Sequence, residues 1–151
     1  MTKAATKMCL REYDRIDKRT DPKSLKAAYT NIDLSHYTEY DETVVLVIHI
    51  IGLVGYMGFD SLFSDEIPGD PRYRRSISAY DRIGAVRASQ ILKEAVGIYF
   101  PSKTGAARDS VDRKAIASEL EDRFADEENN VFYQLSKYIA NNKPIRKGSR
   151  K

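Results

Sequence analysis

The chain has 151 residues, 42% hydrophobic and 31% charged, a length and composition that suit one soluble domain with a sizeable core. Its single cysteine, Cys9, excludes an intrachain disulfide framework, and with only His36 and His49 to join it a Cys/His zinc cage is excluded as well. The net charge of +3 is concentrated at one end, because Lys143, Arg146, Lys147, Arg150 and Lys151 fall in a closing stretch without an acid.

Met1 to Arg19 is charged throughout and has no apolar stretch of the secretory kind, so a cytoplasmic, reducing location is expected. Leu10, Tyr13 and Ile16 give a weakly amphipathic turn pattern that Asp21-Pro22 stops. Cys9 would sit in a fraying N-terminal stretch. Leu25, Ala28 and Tyr29 predict a second short helix, and Asn31 to Asp41 reads as a connection. The next segment, Val44 to Val54, is β-branched enough for a strand. Its length, with apolar residues on every face, suits a buried central helix. Helix is preferred, because no strand of comparable quality exists to pair with it. The apolar run Val44 to Met57 is interrupted by His49 and is shorter than the ~20 residues of a membrane span, so no membrane role is expected.

Gly52, Gly55 and Gly58 punctuate the chain before Phe59, Leu62 and Phe63, which form one stripe on a short helix. Asp65 to Arg75 reads as a loop from its Pro and Gly content. Ser76 to Tyr99 is the clearest helix, with Ala79, Ile83, Val86, Ile91, Ala95 and Ile98 on one stripe. Within it, Gly84-Ala85 suggests a close helix crossing, and Pro101 ends it. After a loop over Ser102 to Asp109, Ile116, Leu120 and Phe124 predict a helix over Ser110 to Phe124. Asp126, Glu127 and Glu128 start the last helix, where carboxylates complement the dipole; Val131, Leu135, Tyr138 and Ile139 form its stripe. Five to seven helices and no convincing strand predict an all-α fold, with one helical domain over residues 1–142 and a basic, disordered tail over 143–151.

Three stretches carry a resemblance: Gly58-Phe59, Ala79-Tyr80-Asp81-Arg82-Ile83-Gly84-Ala85 running on to Ile91-Leu92 and Ala95, and the pair Leu120-Glu121-Asp122-Arg123-Phe124 with Tyr138-Ile139-Ala140-Asn141-Asn142. Together they resemble the DNA mimic protein nineteen-like family, bacterial α-helical domains largely of unknown function. Tyr56 and Met57 stand where that family usually has Asn and Gly. The resemblance covers residues 43–142. It implies a compact helical fold and, from the member that names the family, work as a dimer that blocks a DNA-binding protein by displaying acidic charge.

The chemical candidates are few. His49 in an apolar run reads as a core histidine, and Cys9 has only Arg11 as close cationic help. Asp60, Asp65, Glu66 and Asp70 lack the alternation of a calcium loop and read as solvated. No phosphate-binding glycine loop and no serine nucleophile motif is present. Arg72-Tyr73-Arg74-Arg75 could grip phosphate and stack on a base, with Lys143, Arg146 and Lys147 of the tail as further cations. Glu119, Glu121, Asp122, Asp126, Glu127 and Glu128 form an acidic group relieved only by Arg123, able to imitate a phosphate row for a basic partner, with Tyr133 or Tyr73 as an aromatic anchor. The expectation is a non-enzymatic, cofactor-free module that occludes another protein, such as a basic toxin or a DNA-binding regulator, in the manner of an immunity or antitoxin protein. A homodimer is a second arrangement, and nucleic-acid association through the Arg72–Arg75 cluster and tail is the alternative function.

Overall fold

In the computed structural model, which describes residues 2–20, 34–64, 67, 69–100 and 110–144, the ambiguous apolar segment is the axis of an all-α domain. It belongs to the longest helix, Glu39–Ser64 (α2), in which every residue from Tyr40 to Ile51 is buried. Its β-branched side chains cost a few tenths of a kcal/mol each in helix propensity, and burial on all faces overrides that cost. α2 begins before Val44 and continues past Met57, so it exceeds the apolar run read from the sequence. It is long and apolar enough to cross a membrane, while 67% of its most apolar window is buried inside the fold.

Among the described residues five more α-helices surround it: α1 (Thr2–Thr20), α3 (Arg74–Arg82), α4 (Val86–Tyr99), α5 (Ser110–Asp126) and α6 (Glu128–Asn142). α1 packs on α6 and α2, α3 on α2 and α4, and α5 on α2 and α4. Among the described residues there is no strand. The short helix expected around Leu25 and Tyr29, the loop over Ser102 to Asp109, and Arg146 and Lys147 lie outside the described residues.

Several boundaries differ from the sequence reading. The helix predicted over Ser76 to Tyr99 is two helices. Gly84 takes φ 83°, its N–H donates to the Asp81 carbonyl at 3.0 Å, and the Ala85 N–H donates to the Tyr80 carbonyl at 3.0 Å. This paired pattern is the Schellman cap, which glycine favours because it needs the left-handed conformation. Gly84 is therefore a helix terminator, not a close-crossing site. Asp126 ends α5 rather than opening α6, and a single residue, Glu127, separates the two helices. Cys9 does not fray: it and Ile16 are fully buried, and the Cys9 thiol donates to the Phe132 carbonyl on α6 at 3.4 Å.

Asp70 is not a solvated loop acid either. It is fully buried. One carboxylate oxygen accepts the Arg75 N–H at 2.6 Å, and the other accepts the Ser76 N–H at 3.1 Å and hydroxyl at 2.7 Å. It thus caps α3 from beyond a 3-10 turn over Pro71–Tyr73. To wrap that cap, Arg72 and Tyr73 adopt φ 56° and 58°, conformations costing roughly 1–3 kcal/mol each in non-glycine residues. The cap and the burial of Tyr73 offset them, and the Tyr73 hydroxyl donates to the Leu62 carbonyl near the end of α2.

Candidate interaction surfaces

The acidic group divides into two parts with different work. Glu119, Asp122 and Asp126 are exposed at i, i+3 and i+7 spacing, which places them on one outward stripe of α5. Exposed Glu128 continues the stripe across the turn into α6, with Glu127 half-buried in the turn itself. None of the four exposed acids makes an ion pair among the described residues. Arg123, the one cation among them, turns sideways to Glu94 on α4, at 2.9 and 3.4 Å.

Glu121 leaves this group. It points into the bend of α2, where Gly58 has φ 84°, and its carboxylate accepts the Phe59 N–H at 2.9 Å. A helix restarting after a bend exposes unpaired N–H groups that favour a carboxylate, so α5 supplies the cap that α2 lacks. A Cβ at Gly58 would lie 2.8 Å from that carboxylate. Glu121 thus has a structural role, capping the second half of α2.

The bend also carries two exposed side chains. Just before it, Tyr56 is 89% exposed and Met57 54%, and a Cβ at Gly52 or Gly55 would meet no atom within 4 Å. One face of these last turns is therefore open and presents an aromatic residue, while Ile51 and Val54 on the other face stay buried. Of the anchors expected, Tyr73 is buried. Tyr133 is 42% exposed, with the Lys137 ammonium 5.3 Å from its ring centroid.

The basic cluster is largely consumed by the fold. The Arg72 guanidinium lies 6.0 Å over the Phe100 ring, Tyr73 is inside the core, and Arg75 pairs with Glu42 on α2. Of the four residues Arg74 is exposed, and with Tyr73 buried the cluster cannot offer the stacking platform expected of it. Lys143 is not a loose tail cation: its ammonium lies 3.3 Å from buried Glu12. Arg15 also holds Glu12, through two nitrogens at 2.8 and 2.6 Å, and the Tyr40 hydroxyl donates to it at 2.7 Å. Burial pushes the Glu12 carboxyl up, and these bonds and charges outweigh it, holding the group down at about 2.

The candidate nucleophile and base are both internal. Burial pushes the Cys9 thiol up to about 12 and the His49 imidazole down to about 4, so at neutral pH one is thiol and the other neutral. Among the described residues no group of three or more His, Cys, Asp or Glu is placed to hold a metal ion.

These features define an all-α domain that displays a row of four unpaired acids along α5 and the start of α6. The chain belongs to the DMP19-like protein family, whose model matches residues 35–142. No curated protein and no solved structure matches it.

Proposed function

We propose that this domain is a non-enzymatic binding module that occludes a basic surface on another protein, in the manner of an immunity protein or a regulator-blocking DNA mimic. The observation that carries the reading is the unpaired stripe Glu119, Asp122, Asp126 and Glu128. Fixed negative charges in a row on a rigid helix present what a basic protein surface otherwise finds in a phosphate row. Exposed Tyr56, beside the bend that Glu121 caps, supplies an aromatic anchor of the type that dominates interface energetics. The internal positions of Cys9 and His49 support a non-catalytic role. The Arg72–Arg75 cluster supports no competing reading, since Tyr73 and Arg75 are engaged within the fold.

The test reverses Glu119, Asp122, Asp126 and Glu128 to Lys and leaves Glu121 intact. With a partner captured by the wild-type chain from its native host, the association rate should fall at least about tenfold at low salt and lose its salt dependence. Tyr56→Ala should instead raise the dissociation rate. Unchanged association kinetics in the reversed variant would remove the acidic stripe from the interface.

A further inference from the structure

Among the described residues, three cations without an ion pair or hydrogen bond share one helix, α1. Lys3, Lys7, Arg11 and Arg15 recur every four residues, which on a helix makes one slowly winding row about 18 Å long. The inner face of α1 is occupied by Cys9, Glu12 and Ile16, all buried, so the row faces outward. Arg15 is held by Glu12, whereas Lys3, Lys7 and Arg11 make no ion pair or hydrogen bond among the described residues.

Two open grooves flank the row and share Arg11. One, of about 600 Å³, is lined by Lys3, Lys7, Arg11, Asp14 and Asn129 among others. The other, of about 390 Å³, is lined by Arg11, Arg15, Lys143 and Glu12 together with apolar residues. Five cations thus meet two carboxylates, and Glu12 is already saturated by Arg15, Tyr40 and Lys143. Positive charge is left over along the outer face of α1.

We propose that the outer face of α1 binds the phosphate backbone of a nucleic-acid duplex without reading its sequence. The chemistry is that of Lys and Arg displacing condensed counterions. Four residues of helix advance about 6 Å, comparable to the separation of neighbouring phosphates along a strand. Neither groove has an aromatic residue in its lining, so there is no platform on which the bases of a single strand would stack. A lipid surface fits less well. An interfacial helix inserts its apolar face, and here that face is packed against the core, leaving only Met8 and Leu10 at 37% and 43% exposure. This site lies on different residues from the acidic stripe and stands or falls independently of it.

The experiment is fluorescence anisotropy of a labelled random-sequence duplex of about 20 base pairs with the full chain, titrated in roughly 50 to 200 mM salt. Three free cations predict a log–log salt slope of about −2.7, and hence an affinity loss of about 40-fold over that range. The triple variant Lys3→Glu, Lys7→Glu, Arg11→Glu should bind at least about tenfold more weakly at the lowest salt, and Arg74→Glu should bind as wild type does. The milder triple change to Gln, with its helical circular dichroism unchanged, guards against a folding artefact and should also weaken binding. Four results would overturn the proposal: no binding at the lowest salt, a triple variant that binds like wild type, tighter binding to a single strand of the same length, or retention on phosphatidylserine vesicles without binding to the duplex.

Discussion

Gly58 and Glu121 show how one residue's conformation fixes another's role. Gly58→Ala must place a Cβ where φ is 84° and 2.8 Å from a carboxylate oxygen, so it should cost about 2–4 kcal/mol in urea unfolding. Gly84→Ala meets the same backbone penalty at φ 83° but only ordinary contact, 3.6 Å from Gln134, and should cost about 1–2 kcal/mol. Glu121→Gln keeps an acceptor for the Phe59 N–H and should cost less than either. Equal losses at the two glycines would mean that the carboxylate does not crowd the bend. A second residue-scale effect follows from protons. His49 takes up its proton near 6.5 when unfolded and at about 4 when folded. The unfolded state therefore binds more protons as pH falls between those values, and stability drops by up to ~1.4 kcal/mol per pH unit. Glu12, held at about 2 in the fold against an ordinary 4.5, extends the loss to lower pH. Thermal midpoints of His49→Leu should be nearly flat from pH 6.5 to 4.5 where wild type declines, and parallel curves would refute the assignment.

Among the elements, the helices with one apolar stripe were legible, because burial on one face leaves a period in the sequence. Leu120 and Phe124 on α5, and Val131, Leu135 and Ile139 on α6, are buried as their spacing predicts. The ends were less legible, since a cap can be supplied by a residue far away in the chain. Nothing near Gly58 announces that Glu121 will cap the helix after it. Asp70 lies five residues before the first amide it caps, beyond the reach of ordinary N-cap spacing. Ile83-Gly84-Ala85 did carry its signal, a glycine where a helix could end, but the apolar spacing runs on through it to Val86 and Ile91, although Val86 is 66% exposed in the fold. That continuity hid the break. Asp70→Ala would leave the Arg75 and Ser76 amides of α3 without their acceptor, and a buried donor so stranded costs ~1–3 kcal/mol. Hydrogen exchange should then accelerate at those two amides while the middle of α4 stays protected, because α4 begins from its own terminus after Ala85. Uniform acceleration through both helices would show that α3 and α4 open as one unit.

At the scale of the molecule, the acidic stripe was legible because its residues are adjacent in sequence. The free cations of α1 were not, because Asp14 and Glu12 dilute them and only the fold shows that Glu12 pairs with Arg15 and Lys143. α1 raises a further question, since it lies outside the stretch 35–142 that defines the family yet seals α6 and the start of α2. Cys9 closes on the Phe132 carbonyl, and Glu12 gathers Tyr40 and Lys143, so one helix joins the first turn of α2 to the end of α6. Deleting residues 1–33 would bare Phe132, Ile139 and the Tyr40–Tyr138 ring pair, an apolar patch rarely left open on a folded domain. It would also leave the Lys143 ammonium and Tyr40 hydroxyl without their shared acceptor. The truncated chain should lose its single cooperative thermal transition and bind a hydrophobic dye, and a synthetic peptide of residues 1–20 added in trans should restore part of the transition. Truncation after Pro144 keeps Lys143 on Glu12 and should leave the midpoint unchanged, whereas truncation after Asn142 removes that contact and should lower it by a few degrees. If the chain lacking residues 1–33 unfolds cooperatively at the wild-type midpoint, α1 is an appendage and the family core carries the whole of the stability.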